Sequence, residues 1–225
     1  MNKIYKNFKI FLLNINNKLK ICKLNLKNKK RTFFTINFLS GKNNFRRKYN
    51  RKKELIIKAV KIKNSKKTII LDATAGLGKD SFILASSGYK IFMIEKNKII
   101  YQLLKNGLKR LYKNMEINMW IKKKMILFHD DSLNFFKHTK IIPDVIYLDP
   151  MFLNKKKTLP KKDMSILKIL VSKQKITKNL LKKSIKFTKK KVVVKRPIKA
   201  PYLENIKPTY IIYGTKYRFD IYLKN

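Results

Sequence analysis

From Lys67 onward the apolar residues fall into short β-branched runs that alternate with segments of helical period. The runs at residues 68–71, Lys90–Ile94, Met125–Phe128, Val145–Leu148 and residues 192–195 predict five strands. Helices are expected near 79–87, over 98–112, after Asp131 and within 162–187. Strands and helices in strict alternation specify a parallel sheet covered on both faces. Residues 209–213 and Tyr217–Leu223 flank Gly214 and predict a closing hairpin. The expected architecture is therefore α/β, a doubly wound, Rossmann-like sheet of seven strands.

The first forty residues follow another pattern. Short apolar stretches, Phe8–Ile15 and residues 32–39, are separated by basic polar ones, which predicts small strands and not a long helix. Residues 1–45 are expected to form a small β-rich N-terminal extension. Residues 46–66 are expected to form a basic linker and a helix: 41–51 is turn-rich and holds three of the seven arginines, and 53–62 has helical period. Residues 67–225 then make up the main α/β domain. There is no internal repeat.

The formal net charge is +45, from 57 Lys and Arg against 12 Asp and Glu. Such an excess favours a polyanionic partner, because each phosphate neutralised releases counterions. Lys- and Asn-rich drift in an AT-rich genome would raise the charge as well, so charge alone leaves both explanations open. Cys22, His129 and His138 cannot supply a Cys/His metal cluster or a disulfide framework. No metal and a reducing, cytoplasmic setting are expected. Lys or Asn interrupts every apolar run short of the roughly 18 residues of a spanning helix, and residues 1–24, though basic and partly apolar, lack a small-residue cleavage signature. A membrane is not an expected partner.

Ligands of open α/β sheets bind beyond the carboxyl ends of the strands. Asp72, Asp80, Glu95, Asp130, Asp131 and Asp149 all fall there, and they are half of the acids in the chain. Helix N-capping accounts for Asp80 and Asp131 taken singly, but not for Asp72, Glu95 and Asp149 together. The segment Leu71-Asp-Ala-Thr-Ala-Gly-Leu-Gly-Lys-Asp80 reads as strand, glycine turn and helix start, with Gly76 and Gly78 allowing close backbone approach to a ligand. A dinucleotide fingerprint would place a third small residue where Ser81 stands and no acid at Asp72. A phosphate loop would need Gly at Ala73 and Ser or Thr at Asp80. An acid-rich rim suits a ligand bearing a ribose diol, an amino group and a sulfonium, which describes S-adenosylmethionine. Glu95, about twenty residues past the turn, is placed to accept both ribose hydroxyls.

The second cluster is Ile146-Tyr-Leu-Asp-Pro-Met-Phe152. An exocyclic base amine is a poor nucleophile, because its lone pair is delocalised into the ring. Acceptors at the Asp149 carboxylate and the Pro150 carbonyl would localise that lone pair, and Phe152 could stack on an extruded base. The blander reading is a strand-to-loop proline turn with Phe152 in the core.

With both clusters in hand, the chain resembles the bacterial ribosomal RNA small subunit methyltransferase J family. The resemblance runs from Thr32 to the C-terminus through Arg46-Arg-Lys48, Leu71 to Asp80, Ile94-Glu-Lys96, Asp131-Ser132, Tyr147 to Phe152, Val192-Val-Val-Lys-Arg-Pro197 and Arg218-Phe-Asp-Ile-Tyr222. It implies S-adenosylmethionine-dependent methylation of N2 of one guanine in small-subunit rRNA. It also implies cofactor contacts at Lys79, Asp80, Glu95, Lys96, Asp131, Ser132 and Asp149. Departures from the family pattern are Lys79 where Arg is usual, Asp131 where a small hydroxyl is common, Tyr217 where His is usual, and a shorter N-terminus. On this reading Asp149, Pro150 and Phe152 position the amine, and Asp72, Gly76 and Gly78 bind the cofactor at the turn. Arg46, Arg47, Lys48, Lys195, Arg196 and Arg218 are expected to contact the rRNA backbone, the partner being small-subunit rRNA or the assembling subunit. Rival readings are a non-catalytic RNA-binding or assembly factor that keeps the fold, and a methyltransferase acting on an amine elsewhere.

Overall fold

Asn16 and Asn17 both adopt positive φ, 50° and 58°, the two-residue geometry that matches the right-handed twist of a hairpin. They join β2 (Phe8–Ile15) to β3 (Lys18–Asn25), and with β1 (Asn2–Tyr5) and β4 (Arg31–Phe34) these form an antiparallel sheet in the order β1-β2-β3-β4. The computed structural model describes residues 2–5, 7–50, 54–63, 65, 67–150 and 178–224. Of the helical segments expected within 162–187, only α7 (Leu180–Phe187) falls among them.

The strand expected over 32–39 ends at Phe34. Beyond it the chain leaves the sheet and dives inward: Thr35 Oγ1 donates to the Leu19 carbonyl at 2.8 Å, the Ile36 carbonyl accepts from Arg110, and Ile36 and Phe38 are buried. The turn-rich linker expected over 41–51 is instead helical, α1 (Gly41–Phe45) followed by a π-helical turn, Arg46–Asn50. The rings of Phe45 and Tyr49, four residues apart, lie 5.2 Å from each other. Arg46 meanwhile grips Glu54 with two hydrogen bonds of 2.7 Å. These contacts override weak local propensity. The helix predicted over 53–62 is α2 (Leu55–Val60).

The second sheet has seven strands: β5 (Ile69–Asp72), β6 (Lys90–Ile94), β7 (Met125–Phe128), β8 (Val145–Leu148), β9 (Lys191–Pro197), β10 (Tyr210–Tyr213) and β11 (Tyr217–Leu223), in the order β10-β11-β9-β8-β5-β6-β7. β7, β6, β5, β8 and β9 are parallel. The closing hairpin folds so that β11 lies antiparallel between β9 and β10.

The parallel strands are buried on both faces because they separate two apolar layers. Ile70, Met93, Tyr147 and Val193 point into one, and Leu71, Ile94, Ile146 and Val194 into the other. Helix α4 (Lys98–Leu111) shows why one segment is helical: Asn97 caps it by accepting from Ile99 N and Ile100 N, and Ile99, Ile100, Leu103, Leu104, Leu108 and Leu111 form one buried stripe. α5 (Asn118–Lys124), which periodicity did not mark, buries only Ile121.

The two sheets share one core. Ile10, Ile21 and Phe34 on the inner face of the small sheet join the same cluster as Leu104 and Leu108 of α4, and Asn106 of α4 bonds Leu19 N and Asn17 O. Gly107 makes this approach possible, since a Cβ there would sit 2.9 Å from Ile36. Phe38 reaches further. Its ring packs 5.1 Å from Phe82 of α3 (Lys79–Ser86) and stands 3.4 Å from where a Cβ on Gly78 would lie.

Candidate active site

The carboxyl ends of β5, β6, β8 and β9 converge, and each contributes an ionisable side chain. After β5 the chain turns through Gly76 and Gly78, both at positive φ (52° and 67°), before entering α3 with Gly78 at its N-cap. Asp72, at the end of β5, is 2 % exposed. It braces this turn from beneath, accepting from Ser81 Oγ at 2.5 Å and Thr74 N at 3.1 Å. Burial pushes its carboxyl up to about 7. Asp72 is thus spent on the shape of the turn, at one remove from any ligand.

Glu95, directly after β6, accepts from Gly76 N at 2.9 Å and, through its other oxygen, from Asn97 N at 2.7 Å. Burial raises its carboxyl to about 7 as well. Each oxygen takes a single backbone donor here, and a carboxylate oxygen has room for a second. Asp131 caps α6 (Ser132–His138) by accepting from Leu133 N, and Lys96 Nζ lies 3.7 Å from its carboxylate. Ser132 Oγ donates to the Ala73 carbonyl at 2.5 Å, tying α6 to the turn. Asp130 is drawn off toward Asn134 and His138.

On the other side of β5 the Asp-Pro turn closes the group. Asp149 N donates to Thr74 Oγ1 at 2.6 Å, so the glycine turn and the Asp-Pro turn are fastened to each other. Register pairs Leu148 with Val194, which sets Lys195 level with Asp149. Lys195 Nζ donates to Asp149 Oδ2 at 2.9 Å and Asp80 Oδ2 at 2.6 Å. Asp80 also accepts from Tyr147 Oη at 2.7 Å, and Arg46 Nη1 stands 3.7 Å from its other oxygen. Burial alone would raise Asp80, but Lys195, Tyr147 and Arg46 hold it below the usual carboxylate range. Asp149, whose side chain is 39 % exposed, has only its share of Lys195 against burial and the charge of Asp80. It is the more easily protonated of the two. Phe152 lies outside the described residues.

The basic residues fall differently from expectation. Arg196 and Arg218 are 2 % and 5 % exposed. Arg218 binds Asp220 and the carbonyls of Pro197, Ile198 and Ala200, and Arg196 binds the Pro201 carbonyl. They hold the loop after β9 together and are not placed to meet a phosphate backbone. Lys195 and Arg46 belong to the carboxylate rim. Arg47 bonds Asn44 and Glu116, which leaves Lys48, 4.0 Å from Glu116 and 44 % exposed, as the open member of the set.

Thr74, Tyr147 and Lys195 are structural participants that motif reading missed or misplaced. The signal for Lys195 was present: it ends a parallel strand, as the acids do, and the rule that inspects strand ends applies to cations too. What one sequence does not reveal is which carboxylates face it.

The donor set fits an adenosyl sulfonium ligand. A carboxylate with spare acceptor capacity stands at the end of β6, backbone is exposed at a left-handed glycine turn, and the neighbouring rim is rich in negative charge. Comparisons with known proteins agree. A family model described as "Putative SAM-dependent methyltransferase" matches residues 3–224. A ribosomal RNA small subunit methyltransferase J from Buchnera aphidicola subsp. Schizaphis graminum is 47 % identical over 84 % of this chain and 76 % of its own length. One from Psychromonas ingrahamii is 40 % identical over 84 % and 75 %. Among solved structures, a SAM-dependent methyltransferase from Neisseria gonorrhoeae aligns over 99 % of this chain and 85 % of its own, with a TM-score of 0.70 and 28 % identity. The chain belongs to the ribosomal RNA small subunit methyltransferase J family of S-adenosylmethionine-dependent methyltransferases.

Proposed function

We propose that this protein methylates the exocyclic N2 amine of a guanosine in small-subunit rRNA, in the cytoplasm, on free rRNA or on the assembling subunit. One observation carries the reading: the Asp149–Thr74 hydrogen bond, which locks the amine-facing turn to the cofactor-facing turn. S-adenosylmethionine supplies a methyl group already activated on a sulfonium, so the protein has to place and deprotonate the acceptor. Glu95 would accept from the ribose hydroxyls, while Gly76 and Gly78 bring backbone against the ligand. The Asp149 carboxylate and the Pro150 carbonyl would accept the two amine protons and turn the nitrogen lone pair toward the methyl carbon. With the methyl group delivered from the bound cofactor, Asp149 would take up the proton that the amine sheds. Lys195, donating to Asp149, would favour its ionised form against burial and the charge of Asp80, and Phe152 would stack on the base. Among the described residues no group of three His, Cys, Asp or Glu could hold a metal, and none of these steps requires one.

The test is mass mapping of methylated guanines in small-subunit rRNA from cells with and without this protein. It should be joined to methyl transfer in vitro from labelled cofactor to separated nucleic acids. Loss of a single N2-methylguanine supports the reading. Unchanged rRNA with methylation of another polymer overturns it.

A further inference from the structure

Resting on the RNA reading above, we infer that the outer face of the four-stranded amino-terminal sheet is a docking platform for unpaired RNA. Cross-strand register assigns its members. Phe11 pairs with Cys22, Cys22 with Phe33, and Leu13 with Lys20, so these side chains share the face opposite Ile21 and Phe34, which enter the core. On the outer face Cys22 is covered by its neighbours, 0 % exposed, but it and the rest of that face stay outside the core cluster beneath the sheet. Phe33, on β4 at one edge, is 46 % exposed and Ile4, on β1 at the other, 73 %, with half-buried Phe11 and Leu13 between them, so apolar side chains run across an open face.

Charge placed around an exposed ring points to the occupant. No Asp or Glu precedes Glu54, while the first 53 residues hold 17 Lys and Arg. Lys20 lies diagonally across from Phe33 with its ammonium 5.8 Å from the ring centre. Arg31 is exposed and pairs with Leu24 on the same face. The exposed turn Lys27-Asn28-Lys29-Lys30 borders one end. Cations set around an exposed ring on an open sheet match a single strand, whose bases offer π-faces and whose phosphates run beside them. A duplex hides its base faces and would gain only the charge. The platform is rigidly registered to the active site, because Ile36 and Phe38, directly after β4, pack on α4 and beside the glycine turn.

The test uses the full chain and short fluorescein-labelled oligouridylate, single-stranded or annealed to its complement, read by anisotropy. The triple variant K20E/R31E/F33A should bind the single strand about tenfold or more weakly, and F33A alone should erase the preference for single strand over duplex. Binding of S-adenosylhomocysteine by calorimetry should stay unchanged and confirm folding, and K189E/K190E, on exposed lysines after α7, should have a minor effect. On small-subunit rRNA the triple variant should raise KM and spare kcat. Equal binding by the wild type and the triple variant would overturn the inference, and so would an equal loss in K189E/K190E. If the wild type binds oligouridylate through this face but methylates no rRNA, the functional reading fails and the platform stands.

Discussion

The two sheets of this protein sort charge in opposite ways. The small sheet and the turns after it contain no carboxylate before Glu54. At the carboxyl edge of the large sheet stand Asp72, Asp80, Glu95 and Asp149, and two of them, Asp80 and Asp149, share the half-buried Lys195. A chain of net charge +45 that still concentrates half of its few acids along one rim offers acceptors there for a cationic ligand and, on the reading proposed above, leaves the small sheet to an anionic one. The lesson concerns position more than composition, since both regions are rich in lysine and only one surrounds its lysine with acceptors.

The sharpest way to break this contrast is Asp149→Asn, which keeps the backbone bond to Thr74 but removes the proton acceptor. We expect methyl transfer to fall by about 10²–10⁴-fold with binding of S-adenosylhomocysteine retained. Wild-type turnover would remove Asp149 from the chemistry. Next, Lys195→Met leaves Asp80 and Asp149 facing each other without their shared cation. The acid limb of the kcat/KM profile should move to higher pH and Lys195→Arg should restore it in part, whereas a merely structural lysine would lower activity equally at every pH. Third, Glu95→Gln should weaken S-adenosylhomocysteine binding about tenfold or more, measured by calorimetry, because a charged acceptor is lost from the site.

The pH dependence of stability gives a smaller effect. Asp72 and Glu95, raised to about 7 by burial, bind protons more tightly folded than unfolded, where carboxyls ionise near pH 4. Their ionisation destabilises the ligand-free fold as pH rises from about 4 to about 7. Thermal melts should therefore show a rising midpoint on going from pH 8 down to 5.5, less steeply in Glu95→Gln. A midpoint falling over that interval would contradict the burial of these groups. Last, Gly107→Ala should cost about 1–3 kcal/mol in denaturant unfolding, by pushing Ile36 off α4.

Much of the large sheet was legible. Lys90–Ile94, Met125–Phe128 and Val145–Leu148 are strands over the residues that periodicity marked, because strands buried on both faces must be continuous apolar runs. The small sheet was half legible. β3 carries Lys18, Lys20 and Lys23 among apolar residues and declares itself only through its partners. The carboxylate rim could be read from strand ends, whereas the fate of the cations could not. Arg196 and Arg218 look like any basic surface in a lysine-rich chain, and only the carbonyls of residues 197–201 and Asp220 reveal them as internal struts.

The wedge made by Phe38 bears on how such a chain can be shortened. Its ring stands between Gly78, Leu104 and Phe82, so the glycine turn proposed to hold the methyl donor is partly moulded by a residue from outside the large sheet. Trimming the leading strands would take away the wedge beside that turn, and on the readings proposed above a truncated chain would bind both small molecule and nucleic acid more weakly.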